Sequence, residues 1–484
     1  VKPFTHRPFF LAVILAVSVL PYFAAVGHLI SANVAGVQSG SDASLAEVRR
    51  EDRFTRNAKG VMTRLPAEEH LRRAGVYHVN RAFEEAREHW QALINYYPED
   101  PRVAAAMFGI GRTNYQQRRY EEAYKHYDRL ARNYPATKEG REGLNFSAAA
   151  LLRMGEASAA ADRYIQYIDR HSDGERIETA HLNAIDTLRE AGRLKEATNW
   201  VARTRQTFAG TATETNALFG LLRLHVAEGD WSRAVSTVDE LRRKTFQKGV
   251  ATSQGEVAYL RAFSLDRAGN RGDAVSAYLA VPGGIDSYYG WLATERLEQI
   301  GGARRSQVDE RIDRNQSQAA DVADRYPAPY RQSIISAAKA RKLDPRLILA
   351  IIRQESGFRP TAKSPAGARG LLQLTIDAAH KYAPGAGLKS LQENQLYQPD
   401  ISIMVGSEYL AELFRQFPNL PEAVAASYNG GEDNVARWVK RGKQKDPGVF
   451  TSEVGFDETK AYVQKVMNNY RVYKQLYNAD LTRR

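Results

Sequence analysis

The feature that most restricts the fold of this chain is a repeat. Ala86, Ala123, Ala160, Ala197 and Ala234 recur every 37 residues, and four residues after each stand Trp90, Tyr127, Tyr164, Val201 and Val238. A small residue followed one helical turn later by a large apolar one lets a partner helix approach closely and fills the gap beside it. Each alanine is preceded by a turn and a helix start, as in Arg81-Ala82-Phe83-Glu84-Glu85, Arg119-Tyr120-Glu121-Glu122, Gly192-Arg193-Leu194-Lys195-Glu196 and Gly229-Asp230-Trp231-Ser232-Arg233. Tyr97-Pro98 and Tyr134-Pro135 close the first two units at the same offset, and a sixth, less regular unit is centred on Ala274. A helix pair of this kind cannot bury its faces alone, so the units stack and curve into a superhelix with a concave side. The aromatic stripe is read as the core between helices, and any function of the region follows from the shape of the array.

The repeat resembles tetratricopeptide-type helix pairs with three extra residues per unit. Around it the chain divides into residues 1–40, an export segment; 41–79, a linker and first helix; 80–300, the repeat superhelix; 301–325, a polar linker; and 326–484, a last domain opening at Tyr326-Pro327-Ala328-Pro329-Tyr330. In the first segment Lys2 and Arg7 precede an apolar run from Phe9 to Val26, then small and polar residues. That order marks either a signal peptide, with Val34-Ala35-Gly36 as a small-residue cleavage site, or a membrane anchor of marginal spanning length.

The absence of cysteine excludes disulfides, thiolate metal sites, a cysteine nucleophile and lipoprotein acylation. The net charge of +12 suggests an anionic partner. Residues 326–484 hold 23 Lys and Arg against 15 Asp and Glu, so 8 of the 12 excess charges lie in the last third, where a carboxylate-bearing glycan would be engaged. A nucleic-acid-binding repeat protein has the charge in its favour but lacks a recognition motif, and an export segment argues against it.

After Tyr326 there is no strand-like alternation of useful length, and Pro and Gly separate the helical segments, so this domain should be mainly helical. Residues 344–373 organise it. Asp344 can cap a helix, Pro345 suits its first position, and Gly357 stands where it would stop. Leu347 to Ile352 is almost continuously apolar, which predicts a helix buried on most sides. Glu355 follows Ile351 by four residues and Ile352 by three, so its carboxyl shares their face at the last turn, near the negative end of the helix dipole. Desolvation and that dipole favour the protonated acid, and an acid kept neutral near roughly pH 6–7 is what protonation of a glycosidic oxygen requires. The domain has no phosphate loop, zinc-helix motif or nucleophile elbow. Its single histidine, His380, is read as structural, so acyl transfer is poorly supported. No cofactor or metal is expected.

Arg353-Gln354-Glu355-Ser356-Gly357-Phe358, then Ser364 through Gln373 (SPAGARGLLQ), then Ala426-Ser427-Tyr428-Asn429-Gly430-Gly431, resemble the three ordered motifs of lytic transglycosylases with a lysozyme-like domain. Phe456-Asp457-Glu458-Thr459 resembles a fourth, found in the soluble, superhelical branch, and Ser287-Tyr288-Tyr289-Gly290-Trp291 resembles the segment joining superhelix to catalytic domain there. The resemblance implies an all-α chain, a tetratricopeptide-like superhelix followed by a mainly α lysozyme-like domain. It also implies cleavage of the bond between N-acetylmuramic acid and N-acetylglucosamine by Glu355 as acid, then base, closing a 1,6-anhydro ring. Ser364 and Gln373 are expected to orient substrate, Tyr428 to hydrogen-bond the acid with Asn429 beside it, and Glu458 to border the groove. Gly367 and Gly370 would bring backbone close to sugar.

Partners implied are peptidoglycan glycan strands, with the repeats as a surface for cell-wall synthesis or division proteins, the membrane entering only through the N-terminal segment. The expected location is the periplasm or the outer face of the inner membrane. Two alternatives stay open: a repeat scaffold that binds peptidoglycan without cutting it, and a lysozyme-type hydrolase. Two departures from the family pattern stand out. Leu372 replaces methionine, a conservative change, and Gly430-Gly431-Glu432 replaces alanine, glycine and proline, which leaves that turn less constrained.

Overall fold

The computed structural model describes residues 42–57, 60–301 and 304–484. The export segment expected at 1–40 lies outside the described residues. No helix among them is long and apolar enough to cross a membrane. They are all-α, with nothing strand-like beyond isolated bridges such as Lys363–Arg369.

The repeat period maps onto antiparallel helix pairs: Phe83–Tyr96 with Val103–Gln116, Tyr120–Asn133 with Lys138–Arg153, Ala157–Arg170 with Ile177–Glu190, and Leu194–Thr207 with Ala212–Glu228. Trp231–Leu241 with Gln254–Arg267, and Arg271–Leu279 with Tyr288–Ile300, complete the array. All six marker alanines are fully buried, and Trp90, Tyr127, Tyr164, Val201 and Val238 are buried beside them. The turn entering each unit needs one residue in the left-handed region, φ 62° at Arg81 and Arg118, 87° at Gly155, 74° at Gly192, 72° at Gly229 and 82° at Gly269. Glycine takes that conformation without a Cβ clash, whereas an arginine there costs about 1 kcal/mol.

The two polar stretches flanking the array each contain helix. Residues 41–79 contain two helices, Asp42–Phe54 and Ala67–Val79, tied by the buried Asp52 carboxylate, which accepts from Arg73 (2.5 Å), Tyr77 (2.5 Å) and His89 (3.0 Å). Residues 301–325 include the helix Arg305–Asp321, whose buried Arg311 donates to Thr294 Oγ1 (2.6 Å) and to the carbonyls of Val281 and Gly290 (2.9 and 3.0 Å). A guanidinium has five donors, so one such side chain can gather several backbone acceptors that sequence spacing alone does not show.

The last domain comprises Arg331–Arg341, Pro345–Ser356, Ile376–Tyr382, Pro399–Gln416, Pro421–Gly430, Glu432–Gly442, Pro447–Glu453 and Asp457–Leu476. Packing does not stop at its border. One continuous buried cluster runs from Leu218 in the repeats to Leu481. Late units hold the domain through Lys460–Glu256 (2.7 Å), Tyr259–Asp446 (2.8 Å) and Arg471–Glu295 (3.0 Å). The first two units reach it through Arg81–Asp377 (2.6 Å) and Arg118–Glu432 (3.1 Å). Contacts from both ends of the array mean that it wraps the domain.

Candidate active site

The helix Pro345–Ser356 has the boundaries its sequence predicts. Asp344 Oδ1 accepts from the Arg346 amide at 2.9 Å, Pro345 holds the first position, and Gly357 closes the helix at φ 56°. Ile348 to Ile352 are 0–1% exposed, and Glu355 is 5% exposed on the same face. The helix packs along Asp457–Leu476, and from there Tyr462 donates its hydroxyl to Glu355 Oε1 at 2.6 Å.

Tyr428 lies close enough to Glu355 for their charges to interact, and its hydroxyl donates to the Leu372 carbonyl at 2.6 Å. A second phenol at the acid, Tyr462, comes from the last helix. Burial first, and the Glu355 charge second, push both Tyr428 and Tyr462 well above the ordinary phenol range, so both remain donors. Tyr428 is held from behind by Tyr409 (ring centroids 5.1 Å), which stacks in turn on Tyr382 (4.7 Å). Sequence reasoning missed Tyr462. A signal existed: Thr459, Tyr462, Val463, Val466 and Met467 follow helical spacing, which marks that face of the helix as core.

The glycine loop is held by its own side chains. Ser364 Oγ accepts from the Ala368 amide (3.1 Å), and the buried Gln373 uses its amide nitrogen on the carbonyls of Ala362 (3.0 Å) and Gly370 (2.9 Å). Gly370 makes a close approach within the domain. At φ 78°, a Cβ there would lie 1.9 Å from the Leu396 carbonyl and 2.9 Å from Ser402 Oγ. Gly370→Ala should therefore destabilise the protein by about 2–3 kcal/mol, combining overpacking with left-handed strain, as read by thermal unfolding.

Asn429 Oδ1 accepts from Thr459 at 2.6 Å, joining the Tyr428–Asn429 turn to the last helix. Glu458, in the first turn of that helix, is partly exposed. Between the array and the domain lies a cavity of about 340 Å³, lined among others by Arg81, Arg118, Ala366, Thr375, Asn429 and Thr459. Glu355 is not on its lining, which stops one residue short of Tyr428. Asp377 is bound to Arg81 and Asp400 to Ser333, so neither is hydrogen-bonded to Glu355 as a second carboxyl. His380 Nε2 lies 3.0 Å from the Leu391 carbonyl, a structural role. No metal-holding cluster of His, Cys, Asp or Glu occurs among the described residues.

Fold and site together define a class: a helical-repeat array wrapped around a helical domain with one buried acid. Residues 332–450 match the family model described as the transglycosylase SLT domain, and residues 77–136 match a tetratricopeptide repeat. The chain is 34% identical over 157 residues to the putative soluble lytic murein transglycosylase of Haemophilus influenzae, covering 32% of this chain and 26% of that protein. It is 29% identical over 161 residues to the soluble lytic murein transglycosylase of Escherichia coli, covering 33% and 25%. These matches thus span about a quarter of the length of the curated relatives. The crystal structure of the 70 kDa soluble lytic transglycosylase of Escherichia coli aligns with 91% of this chain and 87% of its own, at 16% identity and a TM-score of 0.48. The chain is a tetratricopeptide-like repeat region followed by a lytic murein transglycosylase-like domain.

Proposed function

We propose that this protein is an exported peptidoglycan lytic transglycosylase acting on the periplasmic side of the inner membrane, with Glu355 as its one acid and base. The observation that carries the reading is the setting of Glu355: 5% exposed, against two fully buried isoleucines, with one oxygen fixed by the Tyr462 phenol. A fixed carboxyl in an apolar wall is suited to give a proton to a glycosidic oxygen.

In the proposed reaction Glu355 Oε2 protonates the oxygen linking N-acetylmuramic acid to N-acetylglucosamine, and the C1–O bond breaks. The sugar's acetamido oxygen stabilises the positive C1. The Glu355 carboxylate then takes the proton of the C6 hydroxyl as that oxygen bonds to C1, closing the 1,6-anhydro ring and restoring the acid. No water is consumed, which fits a site where Asp377 and Asp400 are engaged elsewhere. Ser364 and Gln373 act by shaping the loop, Tyr428 and Asn429 form the wall beside the acid, and Glu458 borders the groove. The repeats present glycan strands to the domain and offer a surface to cell-wall proteins.

Mass spectrometry of sacculi digested by the protein tests this: anhydro-ended fragments are expected, reducing ends would make it a hydrolase, and intact sacculi would leave a binding scaffold. Tyr462→Phe should lower kcat about tenfold or more with KM little changed, because a hydrogen bond to a charged group is lost while sugar contacts stay. Initial rates of fragment release check it.

A further inference from the structure

The turn entering each repeat unit is taken by glycine in four of six units and by arginine in the first two, Arg81 and Arg118. The left-handed backbone of the turn asks for glycine, and the local contact made there is that of Arg81 over the Phe83 ring, 5.1 Å from its centroid. Yet both arginines direct their side chains out of the array to the same kind of target. Arg81 binds Asp377 through Nη2 (2.6 Å) and Nε (3.2 Å). Arg118 binds Glu432 Oε1 through both terminal nitrogens (3.1 Å each) and reaches Asp433 (3.3 Å).

The two targets hold equivalent places in the last domain. Asp377 lies in the first turn of Ile376–Tyr382, the helix that follows the glycine loop ending at Gln373. Glu432 is the first residue of Glu432–Gly442, the helix that follows the Asn429-Gly430-Gly431 turn. This is also where the chain departs from its family by carrying glutamate in place of proline. Proline would have stiffened that turn through its own ring. Here the stiffness comes from another part of the molecule: Glu432 is only 12% exposed and is faced by Arg118 and by Lys381 (3.7 Å). Asn434 adds a bond from its amide to the Gly430 carbonyl (2.8 Å) and is itself held by Arg153 of the second unit. Beyond the pair, Glu432 acts electrostatically on Tyr409, whose ring packs at a tilt against Tyr428 beside Glu355.

We propose that Arg81 and Arg118 are positioning residues for the reaction. From one turn position in successive repeats they fix the starts of the helices that follow the two loops on either side of the Glu355 groove. The array then adds an outer support to two loops that the last domain also holds through its own side chains. This rests on the function proposed above.

The test uses the full chain with Arg81→Gly, Arg118→Gly and the double substitution, which install the residue the other four units already use. Three readouts are taken: the melting temperature, hydrogen exchange of the amides of residues 366–377 and 428–433, and the rate at which anhydro-ended fragments leave purified sacculi. A residue that only builds the turn predicts an unchanged or higher melting temperature and unchanged activity, since glycine relieves the left-handed strain. A positioning role predicts the same melting behaviour with faster exchange in both segments and a rate about three- to tenfold lower, the size expected of one coupled pair of residues. Unchanged exchange, or an unchanged rate in the double variant, overturns the proposal. If the wild type releases no anhydro ends, the proposed function fails instead, and exchange alone decides whether the two arginines hold the loops.

Discussion

Glu355→Gln is expected to reduce the release of anhydro-ended fragments from sacculi by about a thousandfold or more. The size follows from one carboxyl serving twice. In enzymes that divide acid and base between two groups, losing one leaves the other at work; in the reaction proposed above the same carboxyl first gives a proton and then removes one, so an amide forfeits both steps. The fold should not notice. Gln keeps the shape of Glu, and its carbonyl oxygen can still accept the Tyr462 hydroxyl that lies 2.6 Å from Oε1. Equal melting temperatures and helical circular dichroism for variant and wild type, beside lost activity, would place the defect in the chemistry. Retention of a tenth of the wild-type rate would mean that another carboxyl carries the proton. Asp377 and Glu458 would then be replaced next.

Features that depend on neighbours a few residues apart were legible in the chain. The 37-residue period, the small-then-large pairing from Ala86–Trp90 to Ala234–Val238, and the caps of the Glu355 helix are all local, and the structure bears each one out. What the sequence hid is long-range. Tyr462 meets Glu355 across 107 positions and Arg81 meets Asp377 across 296, and no spacing rule connects residues so far apart. At 41–79 and 301–325 the polar composition did not show what holds the helices, the buried Asp52 and Arg311, because their partners lie far along the chain. Gly370 too has a neighbour that is distant in the chain. Its lack of a side chain makes room for the Leu396 carbonyl, and only coordinates could name that neighbour.

Where the middle of the array meets the last domain, the chain relies on buried charge, and Glu453→Gln should cost about 3–5 kcal/mol at neutral pH. Glu453, 1% exposed, receives Arg189 (2.5 Å) and Arg441 (2.8 Å) and faces Arg223 (3.5 Å); Asp186 lies among the same three guanidinium groups at 2.9, 3.0 and 3.7 Å. Removing one of the two carboxylates leaves three buried cations around the other, and an uncompensated buried charge outweighs what the pair gained by forming. The sign with pH follows from the shifts. The surrounding arginines hold both Glu453 and Asp186 below the usual carboxylate range despite burial, so the stability they contribute is present above the ordinary carboxylate pKa and is lost as pH falls through their lower folded values. Buried Glu422 and Asp446 shift upward and oppose this slope, so it must be read as a difference between wild type and variant. That difference should be greatest near neutrality and shrink on acidification, because a protonated Glu453 and a glutamine are nearly the same group. Calorimetric unfolding of both proteins from neutral to acid pH measures it. A variant within about 0.5 kcal/mol of wild type at neutral pH, the range of an ordinary surface substitution, would show that the array and the domain do not depend on this cluster to stay together.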